Sequence, residues 1–152
     1  MKNLSISKYV LTTVVVLLAA CTENTVKPVI PQSFSQLEMK LGTIESVVAL
    51  YGEPEKKSAA GSAATKYHYN FFHVTAYNRT GRLNTIIIFS KDYVDVNGIS
   101  IGDSKSALLR VIPRNNLKTD DLSLYFGDMK NNIVYWMKND RVTKIVLAAQ
   151  LG

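Results

Sequence analysis

Cysteine is nearly absent from this chain: Cys21 is the single one in 152 residues. With no second cysteine, a disulfide framework and a multi-cysteine zinc site are both excluded. Histidine is almost as scarce, at His68 and His73. On one strand their odd spacing would send them to opposite faces, poor geometry for a shared metal, so neither a metal site nor a cofactor is expected. The sequence has no phosphate-cradling glycine loop and no dinucleotide fingerprint. The acidic pair Asp120-Asp121 reads as a solvated turn, and Asn78-Arg79-Thr80 as a tight turn. No catalytic residue can be nominated, and the chain is not expected to be an enzyme. No apolar run approaches the ~20 residues that a spanning helix needs. The net charge of +6 is spread without a dense basic cluster, so no nucleic-acid partner is expected.

What the chain does have begins at its start. Lys2 and Lys8 precede an apolar run from Tyr9 to Ala20, and Cys21 closes the segment. This is the layout of a secretory signal peptide over residues 1–20. The ending Leu18-Ala19-Ala20-Cys21 resembles the lipobox of bacterial lipoproteins. That resemblance implies cleavage before Cys21, acyl chains such as palmitate on its sulfur and amine, and a lipid anchor in a membrane. Each buried CH₂ is worth about 0.8 kcal/mol, so several chains on one residue anchor it almost permanently. Thr22, rather than aspartate, follows the cysteine. In enteric-type bacteria this resembles sorting to the outer membrane, with the protein facing the periplasm.

Removing residues 1–20 from the 152 leaves 132, enough for one compact domain. The leader carries two lysines and no acids, so the charge falls from +6 to +4. Residues 21–35 read as the lipidated end and a tether, because Pro28 and Pro31 bias their neighbours toward extended backbone. Residues 22–35 at roughly 3.3 Å each would reach about 45 Å from the lipid surface.

Residues 36–152 read as one domain in which a unit occurs twice, over about 36–92 and 93–150. At an offset of 60, Leu41 meets Ile101, Gly42 meets Gly102 and Ser46 meets Ser106. Ile44, Val47, Val48 and Tyr51 fall at i, i+3, i+4 and i+7, one face of a helix. Ala107, Leu108 and Val111 continue the face in the second unit, with Ser104 as its one lapse. Thr43 and Asp103 stand where N-caps are wanted. At an offset of 59, residues 76–88 align with 135–147, each predicting a hairpin, with turns at Arg79-Thr80-Gly81 and Lys138-Asn139-Asp140. A further strand precedes each hairpin, at 66–72 and 122–126, and the intervening stretches 53–65 and 113–121 read as loops. The expected class is α+β: tandem helix–three-strand repeats forming an antiparallel sheet with helices packed on one face.

Residues 41–54, Leu-Gly-Thr-Ile-Glu-Ser-Val-Val-Ala-Leu-Tyr-Gly-Glu-Pro, followed by Tyr67 and Tyr69, resemble the SmpA/OmlA (BamE-like) family. Those are small outer-membrane lipoproteins of the β-barrel assembly machinery. Two such units in tandem resemble the β-lactamase-inhibitor-protein-like fold, which implies paired units building one continuous sheet. The likeness covers residues 37–149 and speaks to architecture more than to activity.

A sheet covered on one face leaves the other free, and the chain carries eight tyrosines, five phenylalanines and one tryptophan. Aromatic residues there offer large, stiff contact area. Ile86, Ile88, Ile145 and Leu147 are expected in the core. Tyr77 and Trp136, equivalent between the units, together with Ile87, Val146 and Lys144, are the candidate partner-binding residues. The expected function is non-catalytic protein binding as an accessory subunit of an envelope assembly or secretion complex. Inhibition of an envelope or extracellular hydrolase, and glycan or small-ligand binding, are the alternatives. The oligomeric state is left open.

Overall fold

The computed structural model describes residues 30–33, 35–37, 41–120 and 124–149. The expected leader, Cys21 and most of the expected tether lie outside the described residues. Within them run α1 (Ile44–Tyr51), β1 (Lys56–Ala59), β2 (Ala64–His68), β3 (Phe72–Tyr77), β4 (Leu83–Ile88) and α2 (Lys105–Val111). A 3-10 turn at Arg114–Asn116 leads into β5 (Leu117–Thr119), β6 (Tyr125–Asp128), β7 (Ile133–Lys138) and β8 (Arg141–Ala148). All eight strands belong to one antiparallel sheet in the order β1-β2-β3-β4-β8-β7-β6-β5.

This corrects the expected fold class. The chain does not form tandem helix–three-strand repeats beneath a layer of helices. Among the described residues it forms a single eight-stranded sheet, four strands from each half, with α-helices of eight and seven residues and a further helical stretch at 35–37. The unexpected strands are β1 and β5, which occupy the stretches 53–65 and 113–121 read as loops. Both are short, polar and at the sheet edges. Pairing with a neighbour supplies what their own sequence lacks, and Lys56, Lys57 and Lys118 discourage further strands from adding there.

The two halves meet at β4 and β8, where Ile86 pairs with Leu147 and Ile88 with Ile145. All four are buried, in one cluster with Val74, Phe126, Ile133, Tyr135 and Val142. α1 adds Ile44 and Val47 to that cluster and α2 adds Leu108. In each half the strand after the hairpin turn carries one extra residue. Asn84 intervenes between the pairs Ala76–Leu83 and Thr75–Thr85, and Thr143 between Met137–Val142 and Trp136–Lys144. These bulges let Leu83 and Val142 point inward although they sit three residues from Ile86 and Ile145.

Local sequence explains the connections. Asn139 and Asp140 both have positive φ, 52° and 56°, as the two central residues of a type I′ hairpin require. Gly81 (φ 66°) lets its carbonyl accept from the Ile44 amide at 2.9 Å, so the β3–β4 turn caps α1. A Cβ at Gly81 would come within 2.9 Å of the Glu45 carboxylate. The Thr43 side chain makes no capping bond to the helix backbone. In the second half the cap is Ser104, not Asp103: its Oγ accepts from the Ala107 amide at 3.2 Å. The apparent lapse in the apolar face is therefore the N-cap itself. Asp103 instead accepts from the Ser100 amide at 2.8 Å. Val111 is exposed, and Ile112, extended at the end of α2, takes its place in the core.

The described end of the expected tether, 30–33, is fastened to the body. The Tyr93 hydroxyl donates to the Pro31 carbonyl at 3.0 Å, and the Val96 amide to the Gln32 carbonyl at 3.1 Å. Pro31 and Ser33 are buried.

Candidate protein-binding face

On β4, β7 and β8, away from the bulges, residues of the sheet face opposite α1 and α2 alternate with the core residues. One row across it is formed by His68, His73, Ile87, Val146 and Val134, each paired with the next. The adjacent row carries Lys144, Trp136 and Tyr125, paired in that order. Ile87, Val146 and Val134 are partly exposed, while Trp136 and Phe89 each keep 38 % of their surface exposed. The Lys144 Nζ lies 4.4 Å from the centroid of the Trp136 ring, and the Tyr125 ring packs against the indole at 5.7 Å. Trp136 is thus held between a cation and a phenol. A ring fixed in this way loses little side-chain freedom when a partner covers it.

Four of the five candidate residues therefore share one patch: Ile87, Val146, Lys144 and Trp136. Tyr77, 43 % exposed, lies on the same face but pairs with Ala64. It stands three rows from Trp136 along the strands, roughly 20 Å. The equivalence of Tyr77 and Trp136 in sequence does not bring them together, because the two halves run to opposite ends of the sheet.

The histidines also depart from expectation. His68 ends β2 and His73 lies in β3, with the turn between them, so they are cross-strand neighbours on one face. Strand parity applies only within a strand, and the stretch 66–72 expected as one strand ends at His68, with Asn70 in the turn. Their rings lie 4.3 Å apart with His68 Nδ1 3.3 Å from His73 Nε2. His68 Nε2 is 2.8 Å from the Ser58 hydroxyl, and Phe89 packs edge-on against His73 at 4.8 Å. Burial, His68 and the Lys66 charge, in that order, lower the His73 pKa below its ordinary 6.5. A lowered histidine pKa means the unfolded chain binds the proton more readily, so stability is lost as pH falls through 6.5 and toward the folded value. We expect urea unfolding midpoints to drop between pH 7.5 and pH 5.5, and His73→Gln to flatten that dependence. An unchanged pH slope in the variant would show that His73 does not contribute.

A buried polar network that the sequence analysis did not identify supports the second half of the sheet. Asp95 and Asp128 are each only 2 % exposed. The Tyr135 hydroxyl donates to Asp95 Oδ2 and accepts from Asn97 Nδ2 at 2.8 Å. Asp128 Oδ2 accepts from Asn97 and Asn131, both at 2.7 Å. Burial raises the Asp95 pKa, against the lowering effect of the bonds from Tyr135 and the Ile99 and Asn97 amides. Among the described residues no group of three or more histidine, cysteine or acidic side chains is placed to hold a metal. The network ties the loop after β4 to β6 and β7, behind the face that carries Trp136. Its one local signature is Asp95-Val96-Asn97-Gly98, a turn sequence.

No family model and no curated protein matches this chain. Among solved structures it is similar to an extracellular protein containing an SCP domain from Bacillus anthracis, with a TM-score of 0.50 at 10 % identity. The match covers 95 % of this chain and 49 % of that one, so the chain spans about half the length of that neighbour. A cysteine-rich secretory protein from Staphylococcus aureus gives a TM-score of 0.49 at 10 % identity, over 81 % of this chain and 48 % of that one. A DUF4309 family protein from Bacillus subtilis gives 0.44 at 16 % identity, over 71 % and 78 %. At 10 % identity, what this chain shares with the Bacillus anthracis protein is a fold.

Proposed function

We propose that this protein is a non-catalytic binding module, exported, lipid-anchored through Cys21 at the outer membrane and facing the periplasm. It serves as an accessory subunit of an envelope assembly or secretion complex. The observation that carries the binding reading is the sheet face away from α1 and α2, where Trp136 stands exposed and braced by Lys144 and Tyr125 beside Ile87, Val146 and Val134. Exposed aromatic anchors of this kind dominate protein interfaces. The leader and Leu18-Ala19-Ala20-Cys21 support the anchor. The SmpA/OmlA-like residues 41–54 support the accessory role, and the extracellular character of the Bacillus anthracis protein accords with export.

Two experiments test this reading. Cys21→Ser is expected to abolish acyl labelling and release the protein from the membrane fraction; a variant that stays membrane-bound would remove the anchor from the argument. A photoreactive residue at position 136 is expected to capture one discrete envelope protein in cells, whereas position 77 captures it weakly. Trp136→Ala should weaken that complex roughly 30-fold, the size of an interface hot spot. A folded, anchored protein that yields no adduct from position 136 would sink the face as a binding surface.

A further inference from the structure

A second surface, made of different residues, lies where the end of α1 meets the β2–β3 turn and the loop after β4. It is a groove of about 640 Å³. Its wall is aromatic: Tyr69 stacks on Phe72 at 4.8 Å, and Tyr51 meets Phe72 edge-on at 4.9 Å. Leu50, 49 % exposed, and Tyr93 extend the apolar lining, with Ile30, Phe71 and Val94. Two of the three tyrosine hydroxyls are committed, Tyr69 to the Gly52 carbonyl at 3.2 Å and Tyr93 to that of Pro31 at 3.0 Å. The third, the buried Tyr51 hydroxyl, has no hydrogen-bond partner among the described residues.

Charge sets the class of ligand that the groove suits. Glu53, Glu55 and Asp92 line the groove, and among the described residues no lysine or arginine does. The chain as a whole has 18 basic and 12 acidic residues, so an all-acidic lining runs against the composition. Lys57 reaches Glu53 at 3.6 Å in an exposed pair, a contact of small energy that a ligand can replace. The Glu53 charge reaches the aromatic wall, where, after burial, it helps to raise the Tyr69 pKa. Aromatic faces with carboxylates beside them suit an organic cation: the rings attract it by their quadrupoles and accept its apolar stem.

We infer that this groove receives a lysine or arginine side chain, flanked by apolar residues, from a peptide segment of a protein partner. The test is an NMR titration of the full-length chain with acetyl-Leu-Lys-Leu-amide, its norleucine counterpart, and n-hexylammonium. The lysine peptide is expected to shift the ring resonances of Tyr51, Tyr69 and Phe72 and to bind at least about fivefold more tightly than the norleucine peptide. The triple variant Glu53→Gln, Glu55→Gln, Asp92→Asn changes only exposed side chains and should abolish that preference. Equal affinity for the two peptides, or no shift with either, overturns the inference. Tighter binding of n-hexylammonium than of the lysine peptide also overturns it, in favour of a free-amine site.

Discussion

Asp95→Ala should cost roughly 3 kcal/mol or more of folding stability, a large share of what a domain this size possesses. The side chain accepts three hydrogen bonds in a buried place: from the Asn97 amide at 2.9 Å, the Ile99 amide at 2.8 Å, and the Tyr135 hydroxyl. Truncation leaves both amides and the hydroxyl without that acceptor, and each orphaned buried group costs about 1–3 kcal/mol. The damage should spread, because Asn97 also bonds Asp128, and Asn131 bonds both of them. The expected reading is a lower urea midpoint with weakened amide protection at Ile99 and in β6 and β7. A loss under about 1 kcal/mol would mean that water replaces the carboxylate at little cost. The pH dependence has a definite sign. The folded pKa of Asp95 is raised, so its burial penalty is full at neutral pH and relaxes as the group protonates. Asp95 therefore opposes acid unfolding, whereas His73 promotes it.

Ile86→Ala and Ile87→Ala form the second large prediction, as a contrast between neighbours. Ile86 is 1 % exposed and faces Val74 and Leu147 across the centre of the sheet. Its truncation should cost about 2–5 kcal/mol, from lost transfer energy and the cavity left behind. Ile87 points to the opposite face, partly exposed between His73 and Val146. Its truncation should cost under about 1 kcal/mol and appear instead as weaker capture of the partner. Equal stability losses at the two positions would show that both faces are packed, and the face away from α1 and α2 would cease to be a candidate surface.

The elements that sequence analysis located share one property: their determinants lie within a few residues of each other. The turn at Asn139-Asp140, the α1 face starting at Ile44 and the inward positions Ile86, Ile88, Ile145 and Leu147 depend on local backbone preference or on period-2 alternation. β1 and β5 escaped because Lys56-Lys57-Ser58-Ala59 and Leu117-Lys118-Thr119 have neither; they are strands only because β2 and β6 offer them partners. The helix face in the second half shifted from Val111 to Ile112 because α2 ends at residue 111, where a face drawn at 3.6-residue spacing no longer applies.

The candidate surfaces divide along the same line. Trp136 and Lys144 are neighbours only because the bulge at Thr143 shifts the register by one; a regular ladder from the two-residue turn would pair Trp136 with Thr143. His68 and His73 came together because a turn interrupts what looked like one strand. Tyr135 found Asp95, forty positions away, only when the sheet closed. The acidic groove assembles from four segments that no spacing rule connects. By itself, then, the sequence determined turns, strand alternation and the apolar face of α1, because these follow from backbone conformations that each residue prefers alone. Only the tertiary structure decided the four-strand halves, the meeting of β4 with β8, the buried carboxylate network and the separation of Tyr77 from Trp136. Those depend on which distant groups satisfy each other's hydrogen bonds and exclude water together, a condition that no short stretch of the chain can meet.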